Sequence, residues 1–161
     1  MGPTLYDHKP NVMHFLNEHL VFRYDLTWKQ FSMFDLWDSL HYLFPAFCDL
    51  LNGSVFFSGG ISKANNTEPV ANSFMMESNG GDVIQAENMI IPRYKHKMVF
   101  CNWAVYSLGG YSKNRAMTSK VERYNFASGE WEGMPKMYHE WQSFYVCAAF
   151  SSRSIYVVGG C

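Results

Sequence analysis

The chain has 161 residues, 48% of them hydrophobic and 17% charged, which suits one domain with a buried core and excludes a disordered composition. Its net charge of −1 is not that of a protein built to grip a phosphate backbone, so no nucleic-acid partner is expected. Aromatic residues reach 17% and, with scattered Val and Ile, favour β structure.

Taken in order, the chain starts with "MGPTLYDHKP", polar and proline-containing, with no secretory apolar region. The longest apolar run, "YLFPAFCDLL", is far too short to span a bilayer. The expectation is a cytoplasmic protein with reduced thiols and no membrane partner. Residues 1–19 read as a lead-in segment; "NVMHFLNEHLVF" (11–22) fits a short helix or a strand edge equally well. Strands are expected around "VFRYDLTW", where Tyr24 closes one strand and Trp28 opens the next. Within 33–51, Phe34, Trp37, Leu40 and His41 lie at helical spacing, so a short helix or helical turn competes with strand there.

From there the sequence repeats. Short apolar strands run into glycine pairs three times: "SVFFSGG" ending at Gly59 and Gly60, "AVYSLGG" at Gly109 and Gly110, and "SIYVVGG" at Gly159 and Gly160, each 50 residues from the last. Tyr24, Phe74 and Tyr124 keep the same interval. A Trp follows the aromatic in the first and third copies (Trp28, Trp131), whereas Val83 stands there in the second, after an "SNGG" hairpin signal. Each unit reads as four short strands, in the best copy Lys97–Cys101, Ala104–Leu108, Lys120–Tyr124 and Glu130–Gly133. The first two strands are joined by tight turns ("NG", "NW", "SR"), and the glycine pair marks a sharp turn at positive φ where neighbouring backbone leaves no room for a Cβ. The aromatic and the Trp fill the wedge between adjacent sheets.

This pattern resembles the kelch repeat, with residues 104–137 as the best copy and a likeness covering about residues 20–161. The copy at 54–89 departs from it in lacking the Trp and in a polar loop two residues longer. The resemblance implies an all-β, incomplete β-propeller of four-stranded antiparallel blades, with units of about 20–39, 40–92, 93–141 and 142–161. It also implies a non-enzymatic scaffold that binds a protein partner through the loops of one face. Arg93 occupies a position where the family has an Arg bonding carbonyls between blades; Trp37 and Trp141 replace it in the other units. Kelch propellers also serve as substrate-recognition parts of ubiquitin-ligase adaptors, a role that here would belong to a longer parent protein. Kelch-like copper oxidases are the enzyme alternative, and nothing marks their Tyr, His and Cys metal set here.

Propellers typically close with four to eight blades, and about three blade-equivalents are present. The chain is therefore expected to be part of a longer repeat protein, or a homodimer in which the N-terminal outer strands of one copy complete the C-terminal inner strands of the other.

The loops between second and third strands, "ISKANNTEPV" (61–70) and "YSKNRAMT" (111–118), share Gly-Gly-x-Ser-Lys and should emerge on one face. Ser62, Lys63, Asn66, Tyr111, Ser112, Lys113, Asn114 and Arg115 make that face polar and mildly basic, suited to an acidic or phosphorylated peptide loop. The six histidines lack the i, i+4 spacing of a helical zinc site and none stands near a cysteine in sequence, so no metal or other cofactor is expected. Cys48, Cys101 and Cys147 fall in predicted inner strands and read as small buried hydrophobes.

Overall fold

A computed structural model describes residues 12–17, 20–35, 42–62, 64, 68–78, 82–140, 144–149 and 154–160. The strands are β1 (Val12–Asn17), β2 (Leu20–Asp25), β3 (Gln30–Asp35), β4 (Tyr42–Leu43), β5 (Ala46–Asp49), β6 (Val55–Ser58), β7 (Ile61–Ser62) and β8 (Ser73–Met76). They continue with β9 (Val83–Ala86), β10 (Lys97–Cys101), β11 (Ala104–Leu108), β12 (Val121–Asn125), β13 (Glu130–Met134), β14 (Phe144–Ala149) and β15 (Ser154–Gly159). Two four-stranded antiparallel sheets, β5-β6-β8-β9 and β10-β11-β12-β13, form the centre. The three-stranded sheet β1-β2-β3 flanks them on one side and the pair β14-β15 on the other. The protein is all-β, as the repeat pattern required.

Alternation along each strand decides which neighbour a side chain meets. In β6, Val55 and Phe57 join Val21, Met76, Phe34 and Val83 in the core between the first and second sheets. Phe56, from the opposite face, joins Cys48, Met98, Val105, Tyr124 and Trp131 between the second and third. Val99, Leu108, Tyr106 and Val121 then meet Ile155 and Val157 of β15. Three apolar seams thus hold four sheets face to face, as blades do.

The glycine pairs do what their φ angles demand. Gly60 and Gly110 sit at φ +112° and +88°, and a Cβ at either would come within 2.8 Å of Leu43 O or 2.7 Å of Tyr94 O. Side-chain-bearing residues are excluded by both strain and space. Gly59, Gly109, Gly159 and Gly160 also have positive φ. The turn between β10 and β11 is equally tight: Asn102 and Trp103 lie at φ +49° and +61°, the left-handed pair that a two-residue hairpin needs.

Four expectations change. Met33, Phe34 and Asp35 belong to β3 and Tyr42–Leu43 to β4, so no helix starts at residue 33; Trp37, Leu40 and His41 lie outside the described residues. Val12–Asn17, inside the presumed lead-in, is a strand that pairs with β2 along its full length. Trp28 does not open a strand: it sits in the Leu26–Lys29 turn, 75% exposed, where the Asp25 carboxylate accepts from the Thr27 and Trp28 amides at 2.8 and 3.0 Å. Phe31 takes the place opposite Tyr24 that Trp131 takes opposite Tyr124. In the second sheet Phe74 faces Gln85, and Met76 holds the register of Tyr124, since Val55 pairs with Met76 as Val105 pairs with Tyr124. The longer loop after Gly60 shifts this strand by two residues, which puts Met76 opposite Val83 and explains why equal spacing pointed at Phe74.

Candidate partner-binding face

One end of the sheet stack carries the loops that follow the first two glycine pairs and the segments that lead into β5 and β10. Both are anchored by backbone bonds between them. Tyr94 and Tyr111 exchange amide-to-carbonyl bonds of 2.9 Å in each direction, with rings stacked at 5.4 Å. In the preceding unit β4 and β7 pair in the same manner, Leu43 opposite Ile61 and Tyr42 opposite Ser62. The units are joined at this end by the Lys95 amide, which donates to Phe44 O at 3.4 Å, while Lys95 Nζ lies 5.1 Å over the Phe44 ring.

From that base rises the loop Tyr111–Lys120. The Ser112 amide donates to Ala116 O at 2.8 Å, the Ala116 amide to Lys113 O at 3.3 Å, and the Thr118 amide returns to Gly110 O at 3.0 Å. Lys113–Arg115 forms a 3-10 turn, with Asn114 and Arg115 in the left-handed region at φ +59° and +57°. Lys113, Asn114 and Arg115 are exposed; Tyr111 and Ser112 are half-buried at the loop root. Of the residues expected in the neighbouring loop, Ser62 is half-buried on β7, and Lys63 and Asn66 lie outside the described residues. The same end carries one cation that the loop sequences did not group, Lys95, which is exposed as Lys113 and Arg115 are, with Phe44 as an exposed aromatic. Lys95 was signalled in the sequence only as part of the basic run "RYKHK" (93–97).

Beneath this surface lies a buried ionic joint. Arg93 is fully buried, and its Nη1 donates to Gly109 O at 3.0 Å and Lys120 O at 2.8 Å. Nη2 meets Glu122 Oε1 at 2.5 Å. Glu122 in turn accepts from the Ile90 and Ile91 amides at 2.9 and 3.1 Å. The Arg93 backbone reaches the other way, its carbonyl accepting from the Gly60 amide at 2.9 Å and its amide donating to Val70 O. One residue therefore ties the second unit to the third. Burial pulls the guanidinium below its usual range and Glu122 opposes the shift. Next to it His96 Nε2 is 3.1 Å from Ser58 Oγ, and burial first, then Arg93 and Lys97, hold its pKa well below that of a free histidine.

No group of three or more His, Cys, Asp or Glu side chains able to hold a metal occurs among the described residues. Cys48 and Cys101 are buried free thiols; burial, with the Asp49 charge, pushes the Cys48 thiol far up. No helix among the described residues is long and apolar enough to cross a membrane. Compared with known families, residues 92–138 match the Kelch motif, and these residues span the third sheet with the Arg93 joint. No curated protein matches the chain.

Proposed function

We propose that this chain, an all-β protein whose residues 92–138 carry a Kelch motif, is a non-enzymatic scaffold that holds a protein partner on its loop face. The partner segment is acidic or phosphorylated. The observation that carries this reading is the Lys113–Arg115 turn, whose two cations stand exposed on a loop closed by its own backbone bonds. A loop ordered before binding loses little entropy when a partner docks. Arginine recognises carboxylate or phosphate oxygens in a two-pronged manner, which suits such a segment. Binding by loops on a rigid sheet stack needs no chemical step.

The test is fluorescence anisotropy with a library of labelled acidic peptides, phosphorylated or not, against neutral peptides of matched length. Acidic or phosphorylated peptides should be retained, and the double variant Lys113→Glu/Arg115→Glu should weaken them at least tenfold while thermal unfolding stays unchanged. Retention that ignores peptide charge, or is equal in the double variant, refutes the reading.

A further inference from the structure

The two outermost sheets each leave one apolar face open, and the repeat register identifies what those faces are. Between the second and third sheets, Phe56 receives Tyr124 and Trp131, with ring centroids 4.9 and 6.1 Å away. Tyr24 and Phe31 hold the register of Tyr124 and Trp131 in the first sheet, opposite each other with rings 4.6 Å apart. On that face Phe31 is 71% and Met33 59% exposed. At the far end, Tyr156 is the counterpart of Phe56, two 50-residue intervals later in the sequence. It is 51% exposed, with Val158 at 62% and Tyr145 at 75% on the same face, since Tyr145 pairs with Val158 and Ile155 and Val157 point into the seam behind. The chain thus carries both halves of the contact that it makes internally: an aromatic pair at one end and the ring that such a pair receives at the other.

We infer that a second copy of this chain covers these faces head to tail, with Tyr156 of one copy set against Tyr24 and Phe31 of the other. The contact continues the established seams, so it needs no new kind of interface. Burial of these side chains supplies the driving force. The joining is by stacked faces and not by strand exchange: the edge of β2 that would receive an incoming inner strand is already paired with β1, which corrects the expected completion of one copy's sheet by the other's strands. This inference is independent of the loop-face reading.

Analytical ultracentrifugation of the 161-residue chain tests it. The wild-type chain should sediment at twice the chain mass or more, and Phe31→Lys and Tyr156→Lys should each give monomers. Mixed together, these two variants should recover one contact, because each keeps the half that the other has lost, and sediment as a dimer. A monomeric wild-type chain overturns the inference, as would hold if some other partner covers these faces. So does a Tyr156→Lys variant that still dimerises, since that requires like faces to pair. Far-UV circular dichroism verifies folding, and Met33→Lys with Val158→Lys replaces either variant that fails it.

Discussion

Arg93 and His96 are three residues apart, and both are removed from water, but they respond to change in opposite ways. Arg93 remains charged and is held there because Glu122 and two carbonyls pair with its two terminal nitrogens. Truncating it strands Glu122 as a buried uncompensated charge, which costs about 3–5 kcal/mol. Arg93→Ala should therefore lower the unfolding free energy from urea titration by that amount, and the loss in the Arg93→Ala/Glu122→Gln double variant should be clearly smaller than the sum of the two single losses. Equal, additive losses would show that the two side chains act separately. His96 is held neutral, its pKa depressed in the folded state. The unfolded chain then binds the extra proton first as pH falls through about 6.5, the ordinary value. Stability present above that pH is lost below it, at up to about 1.4 kcal/mol per pH unit from this group. Urea titrations between pH 7 and pH 5 should show the decline, and His96→Gln should flatten it; an identical slope in the variant would assign the decline to other groups.

Within the elements, register separates two tryptophans that look alike in sequence. Trp131 is buried opposite Tyr124 and its indole N–H donates to Glu87 O at 2.9 Å, whereas Trp28 lies in a turn facing solvent. Trp131→Ala should destabilise the protein by about 3–5 kcal/mol, and Trp28→Ala by under about 0.5 kcal/mol, as read by denaturant unfolding. The glycine pairs are constrained as strongly as any core residue. Gly110→Ala places a side chain at φ +88° against the Tyr94 carbonyl and His96. The backbone conformation alone costs about 1–2 kcal/mol, so the variant should melt well below the parent; an unchanged melting temperature would mean that the junction relaxes freely.

Across the whole molecule, stability should grade from the ends to the middle. The second and third sheets bury apolar side chains on both faces, while β1-β2-β3 and β14-β15 each bury one. Opening an end sheet exposes fewer contacts, so its amides should exchange with deuterium before those of β6 and β11. Uniform protection along the chain would contradict the stack of separable units. Self-association would slow exchange in the end sheets as well, so the comparison belongs to the monomeric Phe31→Lys chain.

The period of the glycine pairs was enough to establish the all-β class, the strand limits of the best unit to within about a residue, and the left-handed turns, because these depend on local backbone geometry that each residue carries with it. What only the tertiary structure decided was correspondence between copies: that Phe31 and not Trp28 matches Trp131, that Met76 and not Phe74 matches Tyr124, and that Val12–Asn17 is a strand. Equal spacing counts residues along the chain, but a loop can absorb two of them, and register is set by which side chains meet across a seam. The loop cations were visible as a shared Ser-Lys motif, yet the partnership of Lys95 with Phe44 arises between units, from residues whose adjacency exists only once the sheets are stacked.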